Sequence, residues 1–180
     1  IERQYGGLEA GVMGYVMAVR ELGQGCGATT VAMMVTNMVA EAIAKYGNDA
    51  QRQEFLPPLR NGDWPAYGFS LSEPGSGSDA ASLKTYAQRT DGGYILNGVK
   101  SWVTSGGYCG VYLVMAATDP DMKARGISAF LVTPDTPGFA VTKPEEKLGL
   151  RGSATTQLVF EDCFIPTSRR LGDEGIGFTI

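Results

Sequence analysis

The chain has 180 residues, a formal charge of −4 and 43% hydrophobic residues, enough for one sizeable core or two small ones. That balance provides no global basic field to hold nucleic acid. The absence of any histidine removes histidine-based triads, histidine metal sites and imidazole acid–base chemistry together, so a general base must be a carboxylate, lysine, tyrosine or cysteine. Three isolated cysteines, Cys26, Cys109 and Cys163, lack any C-x-x-C spacing and read as reduced thiols, with Cys26 between two glycines the one placed for reactivity. Apolar runs are broken by glycine or charge short of a membrane span, and no signal peptide is visible. The expectation is a soluble, intracellular protein.

The first third reads as helical. Leu8, Val12, Val16, Val19 and Leu22 recur at three- and four-residue spacing on one face, and Gly23 and Gly25 end the run. A second helix carries the stripe Val31, Met34, Val35, Met38, Val39, Ala42, Ile43 and Tyr46, with Thr29 or Thr30 available as N-cap, Gly47 as terminator and the methionines read as core filler. Asn48 then opens a third helix with Gln51 placed as in a capping box, and Pro57-Pro58 closes it.

After Asn61-Gly62-Asp63 the helical period gives way to short β-rich runs, which marks a domain boundary. Strands are predicted over 66–71, 85–89, 94–96, 99–104, 111–117, 127–132, 139–142 and 156–160, a spacing that suggests a barrel or sandwich. Asn97-Gly98 is the strongest local hairpin signal, since a type I′ turn needs positive φ at both central residues. Period-two alternation then points Trp102 and Thr104 to one face. Val111 to Ala117 is apolar on both faces and should be an inner strand.

Two segments carry chemistry. The loop Gly75-Ser76-Gly77-Ser78-Asp79 would let backbone N–H groups approach a phosphate or heterocycle closely. By itself such a loop is more often an ordinary turn, and it is neither a Walker A loop nor a Rossmann fingerprint. Trp102 by itself is more often a core tryptophan than a cofactor platform. Glu73, two residues before that loop, is read as structural, because backbone amides beside a carboxylate stabilise the anion and lower its basicity.

In combination these segments resemble the acyl-CoA dehydrogenase family over essentially the whole chain. Ser70-Leu71-Ser72-Glu73-Pro74-Gly75-Ser76-Gly77-Ser78-Asp79 fits the family's first signature almost completely. The blocks Leu96-Asn97-Gly98-Val99-Lys100, Trp102-Val103-Thr104-Ser105-Gly106-Gly107, Gly126-Ile127-Ser128-Ala129-Phe130, Lys147-Leu148-Gly149-Leu150-Arg151-Gly152-Ser153 and Val159-Phe160-Glu161-Asp162 follow in family order. Ser72 stands in place of the more common threonine and keeps the hydroxyl. Ser70 stands where glycine, alanine or cysteine is usual and adds a hydroxyl that needs a partner.

The resemblance implies an α+β fold: part of an N-terminal helical domain (1–64), an antiparallel β-barrel or sandwich domain (65–168), and a lead-in (169–180) to a C-terminal helical domain missing from this chain. It implies FAD, lined by Phe69, Leu71, Ser72, Gly77, Ser78, Trp102, Val103 and Thr104. Ser72 would bond the flavin pyrimidine edge, Ser78 would meet both the pyrophosphate and the acyl-CoA, Trp102 would pack beside the isoalloxazine, and Thr104 would approach N5. The implied reaction is α,β-dehydrogenation of an acyl-CoA thioester, in fatty-acid or branched-chain acyl-CoA catabolism, with electrons passing to an electron-transferring flavoprotein. No catalytic residue is assigned here, because the family's glutamate base sits in the C-terminal domain. A dimer or tetramer is implied for the full-length form, in bacterial cytoplasm or in the mitochondrial matrix of a eukaryote. Two expectations stand side by side: a fragment inactive without its missing helices, or a non-catalytic flavin- or acyl-CoA-binding or oligomerisation module of the same fold.

Overall fold

A computed structural model describes residues 1–180. Four helices lead the chain: α1 (Gly11–Gly25), α2 (Gly27–Tyr46), α3 (Asp49–Phe55) and α4 (Pro57–Asn61). Extended backbone at Cys26 (φ −156°, ψ 106°) separates α1 from α2. The second helix begins before the threonines expected to cap it, because Thr30 Oγ1 donates back to the Cys26 carbonyl at 2.8 Å instead of capping. The capping box forms as read: Gln51 N donates to Asn48 Oδ1 at 2.9 Å and Asn48 N to Gln51 Oε1 at 3.0 Å. Pro57 and Pro58 end α3 and also start α4, whose exit at Gly62 takes φ 80°.

The helical stripes are only partly buried. No residue of α1 is buried, and Leu8 precedes that helix and is exposed. On α2, Val39, Ala40, Ala42 and Ile43 pack with Phe55, Tyr67, Leu113 and Met115, whereas Met34 and Met38 are exposed, contrary to their reading as core filler. The reason is the face that docks. The α2 residues nearest the sheet are its small and β-branched ones, which let the backbones approach, and the longer methionines fall outside that contact. By length and composition alone α2 is apolar enough to cross a membrane, but its C-terminal half lies in the core.

Eight strands follow: β1 (Ala66–Ser70), β2 (Tyr86–Thr90), β3 (Gly93–Thr104), β4 (Cys109–Ala117), β5 (Ile127–Val132), β6 (Phe139–Val141), β7 (Thr155–Pro166) and β8 (Arg170–Leu171). They form one sheet in the order β6-β7-β3-β2-β4-β5-β8, with β1 also paired to β4. Five pairings are antiparallel, as expected. Two, β1 with β4 and β2 with β4, are parallel, because both of those strands meet one edge of β4 after a crossover. Every residue of β4 is buried, which bears out its inner position. Val111, Leu113, Met115 and Ala117 face the helix side, and Tyr112, Val114 and Ala116 face a second core. Ring contacts between Tyr94 and Phe130 (5.0 Å) and between Tyr112 and Phe139 (5.1 Å) join the β3–β7–β6 half to the β4–β5 half across that inner core.

The hairpin expected at Asn97-Gly98 does not form. Both residues lie inside β3, and the turn falls at Asp91-Gly92, where Gly92 takes φ 74°. Asn97 instead exchanges bonds with Asp162 of β7, accepting from its N–H at 2.8 Å and donating to its carboxylate at 3.2 Å. Gly98 marks a bulge where Thr85 packs so closely that a Cβ would lie 2.6 Å from its hydroxyl.

Candidate functional site

The loop after β1 is locked from within. Glu73 and Ser76 exchange backbone bonds (2.9 and 3.1 Å), Ser76 Oγ donates to the Asp79 carbonyl at 2.6 Å, and Ser82 Oγ donates to the Asp79 carboxylate. A Cβ added at Gly75 or Gly77 would meet nothing within 4 Å, so the chain's own packing does not demand glycine there. That leaves the loop backbone open to close approach from outside.

Glu73 is buried and bound on every side. Its carboxylate accepts Lys84 N at 2.6 Å, Thr85 N at 2.9 Å and Lys100 Nζ at 2.7 Å. Burial pushes its pKa up, but the bonds from Lys100, Thr85 and Lys84, together with the Lys100 charge, outweigh that and hold it below its ordinary value. The structural reading of Glu73 holds. Lys100 also donates to the Leu71 carbonyl at 3.0 Å, and burial lowers its own pKa against the pull of Glu73.

The second segment lies at the end of β3. Between Lys100 and Val103 the register against β7 slips, and within this bulge Trp102 takes φ 62° and is 65% exposed. Ser105 takes φ 61°. Left-handed backbone at a non-glycine residue costs about 1–3 kcal/mol and persists only where its surroundings over-determine it. Here Ser105 N donates to the Ala154 carbonyl at 2.8 Å, and its own carbonyl accepts the Cys109 thiol at 3.2 Å. Burial pushes that thiol up to about 12, so Cys109 is an inert strut.

The structure brings the two segments together through one bond: Ser101 N donates to the Ser72 carbonyl at 2.8 Å. Ser72 and Thr104 are half-buried, Trp102 is exposed, and Gly77 and Ser78 lie at the exposed tip of the loop. None of the chain's side-chain hydrogen bonds uses the hydroxyls of Ser72, Ser78 or Thr104. Phe69, opposite Leu113, and Leu71 lean half-buried against the helix-side core. Val103 is fully buried in the inner core, so only its backbone is available to a ligand. A cavity of about 820 Å³ lies between α2, the turn at Ser105 to Tyr108 and the loop from Pro144 to Ala154, and none of the eight predicted residues lines it. The exposed and half-buried members of the eight, on the two segments that the Ser101–Ser72 bond joins, present an open platform rather than an enclosed pocket.

Three residues of this architecture had no assigned role in the sequence: Lys100, Ser105 and Cys109. Lys100 had a readable signal, a lone lysine at an inward position of the strand, with an acidic residue in the neighbouring loop as its counter-ion.

A free loop hydroxyl, an open glycine backbone, an exposed indole and a strand-end hydroxyl fit a flat heterocyclic cofactor carrying phosphates. The fold and this platform together define a flavoenzyme-like helical and β pair. Two family descriptions match in tandem: the acyl-CoA dehydrogenase N-terminal domain over residues 1–63 and the acyl-CoA dehydrogenase middle domain over residues 68–163. The chain belongs to the acyl-CoA dehydrogenase family. It is 44% identical to an acyl-CoA dehydrogenase of Bacillus subtilis (strain 168), a match covering 100% of this chain and 48% of that protein. Among solved structures, butyryl-CoA dehydrogenase from Megasphaera elsdenii superimposes with a TM-score of 0.94 at 38% identity, covering 99% of this chain and 48% of the other. The FAD complex of PigA does so with a TM-score of 0.92 at 31% identity, covering 99% and 47%. The chain therefore spans about half the length of the relatives it matches.

Proposed function

We propose that this chain supplies the flavin-facing half of an FAD-dependent acyl-CoA dehydrogenase acting on acyl-CoA thioesters. The observation that carries the reading is the joining of the two segments by the Ser101–Ser72 backbone bond, with unengaged hydroxyls at Ser72, Ser78 and Thr104 and an exposed Trp102. In this reading the Ser72 hydroxyl bonds the pyrimidine edge, and the Gly77 and Ser78 backbone and hydroxyl meet the pyrophosphate, Ser78 also touching the acyl-CoA. Trp102 covers one side of the ring system, and Thr104 approaches N5, with Phe69, Leu71 and the Val103 backbone completing the lining. Each hydrogen bond contributes about 1 kcal/mol net, so their joint effect is orientation and redox tuning. The chemistry FAD supplies when bound is acceptance of a hydride from the acyl β carbon as the α proton leaves.

The base for that proton is assigned to a glutamate beyond these residues. Glu73 is unsuited to the task, since its carboxylate is held as an anion by three donors and is buried away from the platform's exposed surface. The same reading extends to transfer of electrons to an electron-transferring flavoprotein, to a homo-oligomeric full-length protein, and to bacterial cytoplasm or the mitochondrial matrix as its compartment. It also places the division between helical and β domains near residue 64, with 169–180 leading out of the β domain.

The test is anaerobic addition of short- and medium-chain acyl-CoA to the FAD-loaded full-length protein. Bleaching of the visible flavin band supports the dehydrogenase. A flavin that binds and stays oxidised with every thioester contradicts it and favours the non-catalytic module.

A further inference from the structure

Lys100 and Glu73 are the only charged residues buried in the chain, at 0% and 5% side-chain exposure. A buried ion pair is a poor device for stability, because desolvation offsets most of the attraction and apolar residues of similar volume do as well. Its placement suggests a different use. Lys100 donates to the Leu71 carbonyl at 3.0 Å and to Glu73 at 2.7 Å, and the next residue, Ser101, donates to the Ser72 carbonyl at 2.8 Å. The Glu73 carboxylate simultaneously ties down the amides of Lys84 and Thr85, where the loop returns. Ser72 is thus gripped on both sides from β3, at the start of the bulge that turns Trp102 outward.

We infer that Lys100 and Glu73 are positioning residues for the flavin, holding the Ser72 loop and the Trp102–Thr104 segment at the separation the cofactor needs. The inference rests on the FAD reading above. Neither side chain touches the cofactor. The pair acts through the backbone of Leu71 and Ser72 on one side and of Ser101 on the other.

The test compares the full-length apoprotein with its Lys100→Met/Glu73→Gln double variant, which removes both charges and leaves neither buried alone. Three quantities are read: the thermal midpoint of each apoprotein, the FAD dissociation constant by flavin titration, and the midpoint potential of the bound flavin. The expected result is an apoprotein midpoint within a few degrees of the parent, FAD binding weakened about tenfold or more, and a shifted potential. A double variant that binds FAD within twofold of the parent at an unchanged potential overturns the inference. One whose apoprotein midpoint collapses also overturns it, since the pair would then be a staple for the fold. A parent that fails to bind FAD overturns the cofactor reading itself, and this inference with it.

Discussion

Gln51 should be worth far more than its place in a capping box. Besides accepting Asn48 N, its amide donates to the carbonyls of Ser168 (2.8 Å) and Arg170 (2.9 Å), which ties α3 to the end of the β region, and the residue is only 4% exposed. Gln51→Ala removes three hydrogen bonds at about 1 kcal/mol each, a loss of about 3 kcal/mol. Asn48→Ala removes the cap bond alone, at about 1 kcal/mol. The difference of about 2 kcal/mol corresponds to a melting midpoint about 4–8 °C lower for Gln51→Ala than for Asn48→Ala in a domain of this size. Thermal unfolding followed by far-UV circular dichroism reads it directly. Equal midpoints for the two variants would refute the bridge and reduce Gln51 to a local cap.

Ser72→Ala should weaken FAD binding about fivefold, the equivalent of one hydrogen bond of about 1 kcal/mol, without moving the apoprotein midpoint; flavin titration checks it. Gly110→Ala should destabilise by about 1–3 kcal/mol through overpacking, since its Cβ would lie 2.1 Å from the Trp64 ring; urea denaturation reads the change. The Glu73 carboxyl, lowered in the fold, contributes stability that is present above its ordinary pKa and lost as pH falls through the lowered value. Denaturant midpoints of the parent and Glu73→Gln should therefore differ most near neutral pH and converge below the ordinary carboxylate range, and a gap that widens on acidification would contradict the assignment.

Local signals were legible where one physical cause dominates. The Asn48–Gln51 box depends only on residues three apart, and it formed as read. The doubly apolar run from Val111 to Ala117 could belong only to a strand covered on both faces. Asn97-Gly98 misled because its turn propensity is the same as that of Asp91-Gly92, and only pairing with β7 decides between them: Leu96 opposite Cys163 and Gly98 opposite Phe160 require β3 to continue. The methionines of α2 misled because helical spacing reports a shared face without reporting what covers it. Most of the candidate site was legible as residue identities, through the signature from Ser70 to Asp79 and the block from Trp102 to Thr104. Its assembly was not, because the Lys100 and Ser101 contacts to Leu71, Ser72 and Glu73 span 27 to 29 residues of chain.

The chain contains two tryptophans, Trp64 and Trp102. Trp64 packs against Phe55 and Tyr67, with ring centroids 5.9 and 6.2 Å away, whereas Trp102 stands on the platform. In a Trp64→Phe background the remaining emission reports Trp102 alone. Titrating that apoprotein with FAD tests the central claim most directly: emission should be quenched in step with flavin binding, with one shared dissociation constant. FAD that binds while Trp102 emission stays constant would contradict the account, because the flavin would then lie away from the Ser72 loop and the Trp102–Thr104 segment.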